Sequence, residues 1–168
     1  MQLQNKSRKL AARGMLIALA FVLAWIESQF VFVSIAPGMK LGLTNLVVLI
    51  ALYKINEKEA VVINVLRILL VGMTFGNMFS FIYSLAGGLL SATVMIVMKK
   101  VNRFSKVTVS VAGGIMHNVG QIVVAMIVMK TTAVLYYVFV LWISGIVAGA
   151  LVGMLSAGIL KHLEKVEF

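Results

Sequence analysis

The chain has 168 residues, 62% of them hydrophobic and only 12% charged, with a formal net charge of +10. A soluble domain carries far more charge on its surface, so this composition excludes one and points to a polytopic membrane protein. Cysteine is absent and all five acids are glutamates, which excludes a disulfide framework, a Cys-based metal or redox site, and any chemistry that needs aspartate.

Apolar stretches bounded by charges or turn residues predict six helices, over about 11–33, 41–53, 60–73, 79–98, 107–129 and 133–160. The first follows a cluster of cations, as in a signal peptide, but it is too long for one and is read as a retained span. It carries Glu27 and two small-residue pairs, Gly14 with Ala18 and, on another face, Ala20 with Ala24. The second stretch follows Lys40 and holds Asn45, and the third holds Arg67. These two stretches contain roughly 13 and 14 residues, below the roughly 20 needed to cross, so they recruit flanking residues, lie in a thinned or protein-lined zone, or are broken. Asn77 lies in the next loop. The fifth stretch carries His117, Asn118 and Gln121. The sixth carries Gly145, Gly149 and Gly153, a small-xxx-small stripe suited to close helix packing inside the bundle. The tail from Lys161 to Phe168 alternates charge and reads as a solvated helix end.

The cations test this layout. Twelve of the fifteen lie at the N-terminus, the second loop, the fourth loop and the C-terminus, while only Lys40 and Lys130 lie in the first and fifth loops. That asymmetry predicts six transmembrane helices in one domain over 1–168, with both termini cytoplasmic. The positive charge then reports topology and not nucleic-acid binding, for which a basic stripe interleaved with aromatics is missing.

Arg67 is the exception, a cation within an apolar run. A guanidinium is always charged, and at membrane depth it costs from about 2.5 to more than 10 kcal/mol, so it must face a partner or a wet cavity. Counting about 1.5 Å per residue from the cytoplasmic boundary puts Arg67 and Asn45 roughly 12 to 13 Å deep, His117 and Asn118 about 16 to 18, Glu27 and Gln121 about 21 to 22, and Asn77 about 27. This convergence predicts one polar pocket opening outward. A pair between Arg67 and Glu27 is a simpler account of both charges, and compatible with a pocket. His117 and Gln121, four apart, share one helix face with Asn118 beside them, as helix-to-helix hydrogen bonding or a lined cavity would require. Two histidines without Asp or Cys do not make a metal site, and no cofactor is expected. Arg67 and Lys40, with His117, outnumber Glu27 and favour an anionic ligand. Phe30, Phe32, Phe75, Phe79 and Tyr83 are the expected apolar walls. A self-contained channel fits less well, because this polar layer stops short of the cytoplasmic third.

Four segments carry a resemblance to a known family: Pro37-Gly38-Met39-Lys40-Leu41-Gly42-Leu43-Thr44-Asn45, Arg67 to Gly72, Phe79 to Gly88, and Gly113 to Gln121 with its His117-Asn118-Val119-Gly120-Gln121 core. They resemble the membrane family labelled heptaprenyl diphosphate synthase component I, also called the Gx transporter family, over nearly the whole chain. The resemblance implies an all-α fold similar to the S components of energy-coupling factor (ECF) transporters of the bacterial plasma membrane. S components bind substrate and work with a transmembrane coupling subunit and two ATPases, and small residues on the first helix contact the coupling subunit. Gly14, Ala18, Ala20 and Ala24 are the matching positions, on two faces.

The two labels imply different work. A prenyl diphosphate synthase holds Mg²⁺ with clustered aspartates, and this chain has none, so the synthase label fits only a non-catalytic accessory subunit. The transporter label needs ATP hydrolysis, and without a Gly-x-x-x-x-Gly-Lys-Ser/Thr loop that must come from partners. The expected function is therefore an S-component-like, non-enzymatic subunit binding a small anionic compound, isoprenoid-linked or vitamin-like. The alternative is a membrane accessory of polyprenyl diphosphate or quinone synthesis.

Overall fold

The computed structural model describes residues 2–29 and 42–163. Each of the six apolar stretches is a helix: α1 (Gln2–Gln29), α2 (Leu43–Lys54), α3 (Glu57–Thr74), α4 (Met78–Val101), α5 (Lys106–Met129) and α6 (Val138–His162). A 3-10 turn, Ala133–Tyr137, leads into α6, and no strand occurs among the described residues. Four segments are long and apolar enough to cross a membrane: Leu10–Gln29, α4, α5, and the 3-10 turn with α6. Those lengths make the chain a multi-pass membrane protein. The other two helices are the short stretches of the sequence: α2 is about 18 Å long, and α3 carries Arg67 together with the acids of its first turn.

Local chemistry sets the helix boundaries. Asn56 accepts a hydrogen bond from the Glu59 amide at 2.8 Å, and Glu57 and Glu59 place negative charge on the first turn of α3. Ser105 caps α5 in the same way through the Thr108 amide, at 3.1 Å. Asn102 and Lys130 end α4 and α5 in the left-handed region, with φ of 53° and 49°.

The bundle is organised around α5, which packs most closely on α4 and α6. The reason is glycine. A Cβ on Gly114 would lie 2.5 Å from the Gly145 carbonyl oxygen, and one on Gly120 would lie 2.8 Å from the Gly87 Cα. Gly149 and Gly153 approach the Val111 and Val107 Cα atoms to 2.7 and 2.8 Å on the same measure, so the stripe of α6 is spent on packing within the bundle. Helix α2 is enclosed by the others: Val47 to Leu52 are all buried, and they join Ile63, Met95, Val109 and Leu160 in one apolar cluster.

The cations gather at one end. Arg13 donates to Glu59, with Nε to Oε2 at 2.6 Å, and Lys100 pairs with Glu57 at 3.2 Å. Lys54 donates to the Leu163 carbonyl and Lys99 to that of Leu52, at 2.5 and 2.6 Å, so two lysines neutralise the negative ends of α6 and α2. The N-terminal helix, both basic loops and the end of α6 therefore share one face of the bundle, as the cation count required.

Candidate functional site

Arg67 is 7% exposed, midway along α3. Its Nε and Nη2 donate to Asn64 Oδ1 at 3.1 and 2.9 Å, and Asn64 Nδ2 donates to the Gly88 carbonyl of α4 at 2.9 Å. Asn64 and Arg67 are three residues apart, one turn of the same helix face. Asn64, itself 1% exposed, thus anchors the guanidinium between α3 and α4. It fits there because residue 88 is glycine: a Cβ at that position would lie 3.2 Å from Asn64 Nδ2 and 2.8 Å from Ile68 Cδ1.

Arg67 opens onto a cavity among the helices, lined with Glu27 from α1, Thr44 and Asn45 from α2, Ser84 from α4, and Ser110, His117 and Asn118 from α5. The remaining wall is Gly42, Gly114 and the α6 residues Gly145, Ala148, Gly149 and Val152. Its volume is about 40 Å³, room for roughly three water molecules. Glu27 accepts a hydrogen bond from the Gly42 amide at 2.5 Å, which ties α1 to the start of α2. It is also the acid that acts electrostatically on Arg67. Asn118 Nδ2 donates to the Leu141 carbonyl of α6 at 2.6 Å, which directs its oxygen elsewhere. Gln121 Nε2 and His117 Nε2 are 3.2 Å apart, and both side chains press on the glycine face of α4 at Gly87.

Five of the eight residues singled out in the sequence share this cavity: Glu27, Asn45, Arg67, His117 and Asn118. Gln121 is buried behind His117 and does not line it. Asn77 is exposed, outside the cavity's described lining, and caps α4, accepting from the Ser80 amide at 2.8 Å, because an asparagine just before a helix serves the free amides of the first turn. Lys40, Phe30 and Phe32 lie outside the described residues. Phe75 packs on Phe21 with ring centroids 5.5 Å apart, and Phe79 is exposed, so neither forms a wall; nor does Tyr83. Asn64, one turn away on the same helix, accepts hydrogen bonds from Arg67, while Glu27, the alternative partner offered by the sequence, acts on the guanidinium electrostatically from α1. Asn64 was legible as the other polar residue of the run Ala60 to Met73. Thr44, Ser84 and Ser110 carried no such signal, since small hydroxyl residues are ordinary in membrane helices.

Ser110 lies one turn from the start of α5, so the polar wall runs deeper toward the basic end than expected. Beyond it Leu52, Met95, Val109 and Leu160, all buried, close the bundle. Among the described residues the cavity is therefore closed at its basic end.

The family model described as heptaprenyl diphosphate synthase component I matches residues 16–159. The chain belongs to that family. No curated protein and no solved structure matches it. The component I match spans every cavity residue from Glu27 to Val152, so the cavity lies wholly within the family's common region. The name component I denotes one part of a synthase, and a component works with another subunit.

Asn64 gives a direct test of how this component I cavity is held. Asn64→Leu keeps the branched shape but strips the guanidinium of its acceptor; it lowers stability by about 2 kcal/mol, as expected for a lost buried hydrogen bond to a charged group. Asn64→Asp restores a partner and stays closer to wild type in thermal unfolding. Equal unfolding midpoints for wild type and Asn64→Leu would remove Asn64 from this role.

Proposed function

We propose that this protein is a non-catalytic, substrate-binding subunit of a membrane transporter, similar to the S components of ECF systems, and that it takes up a small anionic organic compound. The observation that carries the reading is the buried Arg67 guanidinium, fixed on one edge by Asn64 and lining a polar cavity. A charge so expensive at membrane depth is kept where it meets an anion. In this reading all six helices cross a bacterial plasma membrane, α2 and α3 as short spans, with the basic end in the cytoplasm.

Energy then comes from partners, a transmembrane coupling subunit and two ATPases. Exposure along α1 supports one of its two small-residue faces. Ala20 and Ala24 are buried, at 0% and 8%, and serve the bundle. Gly14 and Ala18 are exposed, and a Cβ on Gly14 would meet nothing within 4 Å. The Gly14 and Ala18 face is therefore the coupling surface in this reading. Replacing both by leucine removes the coupling subunit and ATPases from the purified complex and leaves ligand affinity unchanged; Ala20→Leu instead lowers the unfolding temperature.

The family's description favours a second reading, a membrane accessory of prenyl diphosphate synthesis. Native mass spectrometry of the gently solubilised protein distinguishes the two. Recovery with a coupling subunit and ATPases supports transport, and recovery with a soluble prenyl synthase in their place overturns it.

A further inference from the structure

The basic end of the bundle carries more positive charge than the chain's acids can balance. Twelve cations gather there against four glutamates, Glu57, Glu59, Glu164 and Glu167. Glu57 and Glu59 are engaged by Lys100 and Arg13. Even with both tail glutamates paired as well, at least eight of the twelve cations lack an acid.

Part of this surplus is gathered at one seam, where the ends of α2 and α4 meet the start of α5. Tyr53 is half-buried there, packed against the apolar cluster around α2. Two ammonium groups share its ring: Lys99 Nζ lies 5.6 Å from the centroid and Lys106 Nζ 5.9 Å. The negative face of the ring attracts each of them, yet holding both on one ring sets two like charges close together. Lys99 spends one N–H on the Leu52 carbonyl, at 2.6 Å, and an ammonium has three to give. Among the described residues neither lysine is paired with a carboxylate, and both stay partly exposed. Two ammonium groups with donors to spare, fixed on one aromatic ring, suit a phosphate that bridges them.

The position of the seam names the source of that phosphate. Helices of a multi-pass protein end here, so the seam lies at the level of the lipid head groups, where tyrosine rings settle and where basic pockets between helices meet acidic lipids. We infer that Tyr53, Lys99 and Lys106 form a binding site for the phosphate of an anionic glycerophospholipid. The site stands apart from the Arg67 cavity and does not need the transport reading.

Native mass spectrometry of the detergent-purified full chain, titrated with phosphatidylglycerol or phosphatidylcholine, tests it. Both lipids carry the phosphate but only the first is net negative, so phosphatidylglycerol is expected to bind at least about tenfold tighter. Lys99→Gln with Lys106→Gln is expected to weaken it about thirtyfold, the attraction of two lysines at a membrane surface. Lys106→Gln alone leaves the hydrogen bond from Lys99 to Leu52 in place and is expected to weaken it about fivefold. The control is Lys58→Gln with Lys161→Gln, which removes the same charge from exposed positions. Charges outside the seam are screened by salt, so the control should cost no more than about twofold. Equal losses in the two double variants overturn the site in favour of diffuse attraction. Glycerol 3-phosphate displacing phosphatidylglycerol at equal concentration overturns the lipid as its occupant and leaves a free phosphate. Tight binding seen only after Glu164→Gln with Glu167→Gln also overturns it, because the seam would then belong to the tail's own carboxylates.

Discussion

Arg67→Met is expected to lower the affinity for a small anion about a hundredfold while the protein remains folded in detergent. The size follows from what is lost. A charge-assisted hydrogen bond at a buried site contributes about 1.5 to 3 kcal/mol, and about 2.7 kcal/mol is a hundredfold. Methionine fills much of the same space, so the cavity is not simply emptied. Two buried groups are nonetheless left behind. Asn64 loses the donors that its Oδ1 accepts, and Glu27 loses the positive charge that acts on it. Some loss of thermal stability is therefore expected, and Glu27→Gln in the same chain should recover part of it by removing the uncompensated acid. Recovery of stability without recovery of binding is the signature of a ligand site. Wild-type affinity in Arg67→Met, measured by calorimetry, would end the assignment; recovery of binding by Glu27→Gln would reduce Arg67 and Glu27 to a structural pair.

Gly114→Val carries the largest expected effect on the fold. The Cβ would lie 2.5 Å from the Gly145 carbonyl oxygen, and the clash is with backbone, which has no rotamer to give. Helices α5 and α6 must separate at the level of the cavity, at a cost of about 3 kcal/mol or more. For a chain of this size that lowers the unfolding midpoint by about 10 °C, readable in the fluorescence of Trp25 and Trp142. Gly158→Ala is the control. That glycine lies on α6, the helix that Gly114 packs against, with nothing within 4 Å of an added Cβ, so alanine should raise the midpoint slightly through its higher helix propensity, worth up to about 1 kcal/mol. Similar midpoints for the two variants would show that α5 and α6 are not held by the glycine contact.

Helix content was close to fully readable, because hydrophobic runs bounded by charges are set by the membrane's thickness and need no knowledge of neighbours. The grouping of cations at one end was readable for the same reason, and Arg13, Lys54, Lys99 and Lys100 do meet there. Depth counting brought Glu27, Asn45, Arg67, His117 and Asn118 into one layer, roughly 12 to 22 Å deep, because rise per residue is fixed in a helix. Rotation about the helix axis is another matter. Depth alone could not separate Gln121, turned behind His117, from Asn118, which lines the cavity. Nor could it tell that Asn77 caps a helix, since a residue at the edge of an apolar run is equally placed for a pocket mouth or a cap.

The sequence by itself determined that this is a multi-pass helical membrane protein with its cations at one end and one costly arginine within an apolar run. The absence of aspartate was equally its own, and it separates the chain from clustered-carboxylate chemistry. Only the tertiary structure decided which partner holds that arginine, which small residues of α1 stay exposed, and what the cavity is made of. The physical reason is common to all three. Composition and period fix what a helix is and how deep each residue lies, whereas the face that each helix turns inward is set by contacts with its neighbours. Here those contacts are glycines that let α4, α5 and α6 close on one another, and they leave hydroxyls and amides beside Arg67.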